Sequence, residues 1–308
     1  MNCKALIWIT SIIFLCISLS ACITLSNDDI IYVDRDGGSD FSSIQSAIDA
    51  AKENSTISVA NGIYVENIYI NKSITLIGAS AEQTIIDGNK TGDVVHITKE
   101  ANVALSGFTI KQSGSDYTHP EYDAGIDIRS SHSDINNNII SENAHGIFST
   151  YSIKNNFTNN FIHSNSEYGL YLYTVANNHI VMNNVFSNNT YAVRVKGSER
   201  NIIVNNLFEG NMRGIYFCCG ATKNYVYHND FVNNSFWHGN DYVGGNTWDN
   251  GYPSGGNYWD DYTGIDVNSG PNQNMTGSDG IGDTPYEITT DKSKIDRYPL
   301  MEPVTKQP

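Results

Sequence analysis

Asn138-Ile139-Ile140-Ser141-Glu142-Asn143, Asn160-Phe161-Ile162-His163-Ser164-Asn165, Asn184-Val185-Phe186-Ser187-Asn188-Asn189, Asn206-Leu207-Phe208-Glu209-Gly210-Asn211 and Asn229-Asp230-Phe231-Val232-Asn233-Asn234 are one pattern written five times. The central apolar residues, Ile140, Ile162, Phe186, Phe208 and Phe231, recur at spacings of 22, 24, 22 and 23 residues. Asparagines stand two places before and three places after each. A small residue follows the first four copies: Gly146, Gly169, Ala192 and Gly214. A fixed period of this length signals a solenoid, propeller or array. The apolar runs are short, β-branched or aromatic, and alternate with polar residues, so they are strands. About 22–23 residues hold three short strands and their turns, which is one coil of a parallel β-helix. Coils stack about 4.8 Å apart, placing like residues above one another. An inward turn asparagine then bonds the turns above and below, and asparagine tolerates the left-handed angles such turns need.

The chain has 308 residues, 33 Asp and Glu against 18 Lys and Arg, and a net charge of −15. A solenoid grows in one dimension, so this length fits one domain. The acidic balance and the lack of a basic run exclude nucleic acid as a partner. Of five cysteines, Cys3 and Cys16 fall in the leader. Three remain, too few for a disulfide framework.

Residues 1–22 read as a targeting segment, with Lys4 before the apolar run Ala5–Leu19. Leu19-Ser20-Ala21-Cys22 looks like a lipobox, making Cys22 the lipidation candidate. Read instead as an uncleaved signal anchor, the uncharged run Ala5–Leu25 could just span a bilayer. Either way the chain is expected to be exported and anchored at the cell surface. Residues 23–30 form a tether. In the N-terminal cap, residues 31–60, Phe41, Ile44, Ala47, Ile48 and Ala51 make one helical stripe behind Ser42 or Ser43. The helix covers the open end of the first coil.

Ser43–Ala51, Gly62–Asn67, Ser73–Gly78 and Thr84–Gly88 resemble the cap and first coils of pectin-lyase-like right-handed β-helices, pectin methylesterases among them. With the Asn-rich repeat of residues 136–234 and Gly107–Ile110, the nearer resemblance is to the NosD-type β-helix domain. That resemblance implies an all-β, right-handed parallel β-helix over 31–262 with an N-terminal capping helix. It is specific for fold and weak for activity, because many functions share the scaffold.

Strand alternation assigns the faces. It puts Ile126, Ile147, Leu170, Val193 and Ile215 inside, and Asp127, Phe148, Tyr171, Arg194 and Tyr216 outside. A second outward row is Arg129, Thr150, Tyr173, Lys196 and Cys218. Aromatic faces stack on sugar rings and charged groups bond their edges. Asp127, Arg129, Phe148, Tyr171, Tyr173, Arg194, Lys196 and Tyr216 are therefore the ligand-binding candidates, for a glycan or another envelope component. One coil carries an insertion, Ser113 to Asp123, a second candidate binding element. As an enzyme, a lyase or hydrolase would draw on Arg129, Arg194 and Lys196 or on this loop. The face offers only one carboxylate, Asp127, where hydrolysis wants two. The paired aspartates and arginine of pectin methylesterases do not appear.

Alternation turns Cys218 outward and Cys219 into the core. NosD relatives are associated with periplasmic copper handling, which makes Cys218 and Cys219 copper candidates in a third reading, as a maturation protein. One thiol in and one out would chelate poorly. The tail, residues 263–308, follows the tryptophan-rich end of the helix and closes the last coil. Asp266, Asn268, Asp279 and Asp283 resemble a calcium loop for a structural ion, though not at EF-hand spacing. No cofactor is required by these readings, and a monomer is expected.

Overall fold

The computed structural model describes residues 30–118, 121–289 and 294–305. The expected leader, with Cys22, and most of the expected tether lie outside the described residues. Among the described residues no helix is long and apolar enough to cross a membrane.

The chain is a parallel β-helix with three sheets running its length, of nine, nine and eight strands. One coil shows the order: Asp134–Asn136 in the first sheet, Ile139–Ser141 in the second, His145–Thr150 in the third. Coils pair in parallel register, so the repeat residues lie above one another: Ile140 on Ile162, Ile162 on Phe186, Phe186 on Phe208, Phe208 on Phe231. All five are fully buried. Phe186, Phe208 and Phe231 stack at 5.1 and 4.9 Å between centroids.

Each corner carries a hydrogen-bonded ladder. At the first, Asn138, Asn160, Asn184, Asn206, Asn229 and Asn257 each offer Oδ1 to the backbone N–H one coil earlier. Their Nδ2 groups donate to main-chain carbonyls, as Asn184 does to Phe157 at 2.8 Å. The buried Asp296 carboxylate ends the ladder by accepting Asn257 N–H at 2.7 Å. The second ladder is Asn143, Asn165, Asn189, Asn211 and Asn234. A third, not singled out by the repeat, runs Ser133, Asn155, His179, Asn201, Asn224 and Asn246. These bonds satisfy corner backbone groups that no strand pairs. The left-handed angles expected of the ladder residues belong to their predecessors: Asn137, Asn159, Asn183 and Asn205 have φ of 55–57°. Facing inward and tolerating positive φ are thus divided between adjacent residues.

Both ends are covered. The helix Ile44–Ala50 buries Ile44, Ala47 and Ile48, with Ser43 as its N-cap. Glu66, from the next turn of chain, accepts the Ile44 and Gln45 N–H groups at 3.0 and 2.9 Å. At the other end Trp259 stacks on Phe231 at 4.3 Å and Tyr286 on Trp259 at 4.2 Å. The aromatic column of the core thus continues into the tail.

Candidate functional site

The third sheet carries the face singled out by alternation. Cross-strand register sets one outer row as Tyr69, His96, Asp127, Phe148, Tyr171, Arg194, Tyr216 and Asn240. The second row holds Thr150, Tyr173, Lys196 and Cys218. The assignment of faces therefore stands, but the face is not the open sheet that was expected. Asp127, Phe148 and Tyr171 are 1–2% exposed, although they point away from the core.

Two features bury them. The insertion, with a short hairpin of Tyr117–Thr118 and Glu121–Tyr122, brings the Tyr122 ring over the sheet. It lies 5.1 Å from Phe148, 6.0 Å from Tyr171 and 6.1 Å from Tyr173. His119 of this loop lies outside the described residues. The second feature is a third outer row, His145, Tyr168, Tyr191, Arg213 and Trp237, at the start of the strands. Strict alternation would turn these residues inward, but it breaks at the small residues. A Cβ on Gly146 would meet Gly169 O at 2.5 Å and Ile162 Cγ2 at 3.1 Å, and one on Gly214 would meet His238 O at 1.9 Å. Gly146 and Ile147 both face inward, a break in the pleat shared by neighbouring coils that returns His145 to the outer face. The residue before each small residue was the signal for His145, Tyr168, Tyr191 and Arg213, and the register extends the row to Trp237.

Phe148, Tyr168 and Tyr171 form a second, smaller apolar cluster with Ala124, outside the sheet. Burial lowers the His145 pKa to about 4 and pushes the Tyr168 phenol up. Arg194 lies among Tyr168, Tyr171 and Tyr216, its guanidinium carbon 5.1–5.7 Å from the ring centres. It donates to the Tyr168 hydroxyl and, at 3.8 Å, to Cys218 Sγ. Tyr122, His145, Glu167, Tyr168, Tyr171 and Arg194 line a pocket of about 240 Å³. Lys196 sits 5.1 Å over Tyr173. Beyond the pocket the face opens. Tyr191, Tyr216 and Trp237 are partly exposed and lie 5.9–6.0 Å apart. Arg213 sits 4.8 Å over Tyr191 and 4.9 Å over Phe236, which is 65% exposed.

At the opposite end of the row Asp127 is not the lone carboxylate expected. His96 Nδ1 lies 3.2 Å from Asp127 Oδ2 and 3.2 Å from Asp93 Oδ2. Arg129 bonds Asp127 Oδ2 at 3.0 Å. Val95–Ile97 pairs in register with Ile126–Ile128, 31 residues later, which places His96 beside Asp127. Hydrogen bonds from its Nδ1 to Asp127 and Asp93 raise the His96 pKa to about 9, and burial raises that of Asp93. With Asp127 engaging Arg129, and Arg194 caged by tyrosines, neither guanidinium stands free on the surface.

Cys219 is not in the core. The strand ends at Cys218, and Cys219 is exposed with φ 54°. Both cysteines are free, and their side chains hydrogen-bond. Burial pushes the Cys218 thiol up, offset in part by Arg194. In the tail Asp266 accepts the Asp279 and Gly280 N–H groups. Asp283 accepts the Asn268 N–H at 3.1 Å and its Nδ2 at 2.8 Å, and Asp279 accepts the Gly270 N–H at 3.2 Å. These carboxylates are engaged by the loop backbone.

The family profile described as periplasmic copper-binding protein (NosD) matches residues 46–264. The chain belongs to the NosD family. A periplasmic family accords with the exported NosD-family chain expected from residues 1–22. No curated protein matches the sequence. Among solved structures, the DFA-IIIase from Arthrobacter chlorophenolicus A6, in complex with DFA-III, is similar with a TM-score of 0.50 and 15% identity, over 75% of this chain and 76% of that one. ORF18 of Geobacillus virus E2 is similar with a TM-score of 0.48 and 15% identity over 67% of this chain. This NosD-family chain spans about half of ORF18, 52%. The pectin methylesterase from carrot has a TM-score of 0.36 and 14% identity, over 74% of this chain and 80% of that one. At such identities the likeness is one of fold.

Proposed function

We propose that this is an exported, membrane-tethered envelope protein that binds glycan at the open end of its third sheet. The observation that carries the reading is the group Tyr191, Tyr216 and Trp237, three rings 5.9–6.0 Å apart, beside the pocket lined by Arg194 and Glu167. Ring faces take the C–H faces of sugars, and charged side chains bond hydroxyls at the rim. The pocket, at about 240 Å³, is smaller than the roughly 300–1,000 Å³ of drug-sized sites and suits a single ring. Phe148 and Tyr171, buried beneath Tyr122, support this surface from below. The tether is Cys22 or the apolar leader itself. A glycan array with the unchanged protein and with Tyr216→Ala and Trp237→Ala tests the reading. Binding that falls at least tenfold in both variants supports it; binding that survives both sinks it.

A second reading rests on Cys218 and Cys219, whose side chains meet outside the sheet. Adjacent soft sulfurs suit Cu(I), in keeping with the family's description. Cu(I) competition titrations with Cys218→Ser and Cys219→Ser test this role, and a glycan array on the Cys219→Ser variant separates it from glycan binding, because Cys218 is bonded to the pocket's Arg194.

A further inference from the structure

The cluster at the far end of the third sheet has the form of a cation site. His96 stands beside Asp127 in the register of two neighbouring strands, and Asp93 lies two residues before the first of them. The three donor atoms, Asp93 Oδ2, His96 Nδ1 and Asp127 Oδ2, lie within 4.8 Å of one another. Both carboxylate oxygens are aimed at one nitrogen, each at 3.2 Å. A charge-assisted bond to a single carboxylate is shorter, about 2.7–2.9 Å, and one N–H cannot point at two acceptors well. Ligands held about 2.1 Å from a common ion, in contrast, lie about 3.0–3.4 Å apart at the edge of a tetrahedron or octahedron.

The groups behind these donors hold them in place. Asp93 Oδ1 accepts the Ala124 N–H at 2.9 Å. Arg129 bonds Asp127 Oδ2 through Nε at 3.1 Å and Nη2 at 3.0 Å and reaches Oδ1 through Nε at 3.4 Å, which fixes the carboxylate plane beside His96. The Tyr69 ring stacks on His96 at 5.3 Å and 8°, fixing the imidazole plane. The His96 and Asp93 side chains keep 26% and 20% of their surface in solvent, which gives an ion its route in and leaves room for water or ligand to complete its shell.

The other such group, His238 with Asp260 and Asp261, lacks this form. The ladder orients the Asn234 amide, because Asn234 Oδ1 accepts from Asn211. Its Nδ2 therefore donates to His238 Nδ1 at 3.1 Å. The imidazole proton is then on Nε2, donated to Asp260 at 2.8 Å, so both ring nitrogens of His238 are held in one hydrogen-bonded chain that starts in the ladder.

We infer that Asp93, His96 and Asp127 form a three-ligand site for a borderline divalent cation of the zinc type. One imidazole nitrogen with two carboxylates selects against Cu(I), which wants sulfur, and against Ca²⁺ and Mg²⁺, which want oxygen alone. The site is distinct from the thiol pair Cys218 and Cys219 and from the tail aspartates.

The test uses the full-length chain in detergent, with Cys218→Ser and Cys219→Ser introduced to remove thiol binding. Isothermal titration with Zn²⁺ is expected to show one ion per chain, and Co²⁺ in its place a visible d–d absorption. Asp93→Asn and His96→Gln are each expected to weaken zinc about 100-fold and abolish the Co²⁺ band. Asp260→Asn is expected to leave both unchanged. Arg129→Gln keeps all three ligands and loosens Asp127, so it is expected to weaken zinc about tenfold and keep the Co²⁺ band. Circular dichroism confirms that each variant is folded, and a misfolded Asp93→Asn leaves His96→Gln and Arg129→Gln to decide. Absence of stoichiometric zinc overturns the inference. So does zinc affinity unchanged in His96→Gln, loss of the Co²⁺ band in folded Arg129→Gln, or equal displacement by Ca²⁺.

Discussion

The ring of Tyr122 lies 5.1 Å from that of Phe148, tilted by 56°, so a residue of the one long insertion roofs a residue of the repeat. The contact turns an outward aromatic row into a second core. Tyr122 touches Tyr171, Tyr173 and His145 as well. Tyr122→Ala is expected to cost about 2 kcal/mol, below the roughly 3–5 kcal/mol of a fully buried aromatic because Tyr122 is only partly buried. Urea unfolding measures this, and limited proteolysis should cut the insertion faster in the variant. An unchanged midpoint would mean that the roof is not seated in solution.

The ladders predict a difference between two near-isosteric side chains. Asn184 accepts the Asn160 N–H at 2.9 Å and donates to Phe157 O and to Asn206 Oδ1. Asn184→Ala strands these buried partners, at about 1–3 kcal/mol for each group left unsatisfied. Asn184→Asp keeps the acceptor but sets a carboxyl oxygen against two others. It is expected to destabilise at least as much as alanine at pH 7. If aspartate were tolerated and alanine not, the amide donor would have no role.

His179 occupies an asparagine's place in the third ladder, and burial lowers its pKa to about 3. Its neighbours are the Ser152 hydroxyl, the Asn155 N–H, which donates to Nδ1 at 2.9 Å, and the Phe157 ring. The unfolded chain takes up a proton near pH 6.5, whereas the folded chain resists it until about pH 3. Stability is therefore level above pH 6.5 and falls as pH drops towards 3. The loss from this residue at pH 5 is about 2 kcal/mol. His179→Asn continues the ladder without a titrating ring, so it is expected to raise stability at pH 5 and leave it nearly unchanged at pH 8. Denaturation at both pH values reads the difference; an equal shift at both would assign the effect to packing.

Trp259 joins the core column to the tail, stacked between Phe231 and Tyr286, with its Nε1 donating to Asp296 at 3.0 Å. Trp259→Ala is expected to cost about 3–5 kcal/mol. It should also expose the last coil, whose unpaired edges invite association. Thermal unfolding with light scattering reports both, and a stable, monodisperse variant would show that the tail is not the cap.

The Asp93–His96–Asp127 group is only partly legible in the sequence. Asp127 stands in a strand opened by a small residue, whereas His96 lies one coil earlier, before that pattern begins. Asp93 lies outside any strand, so no alternation rule reaches it. The Tyr191 and Trp237 row was hidden for a different reason: the break in the pleat at each small residue resets the alternation. Cys219 was turned inward by a count that ran past the strand's last residue, Cys218.

The coil is legible in the residues alone. Like residues recurring every 22–24 positions can satisfy their backbone and bury their apolar side chains together only by stacking, so period, register, inward Phe and Ile, and two of the three ladders were legible. Which outward residues meet solvent is set by how the chain packs in three dimensions. That depends on segments that do not repeat: the insertion laid over Phe148 and Tyr171, the loop that brings Asp93 to His96 and Asp127, and the tail that closes on Trp259. Their paths are set by long-range contacts rather than by the local period, and no periodic pattern carries that information.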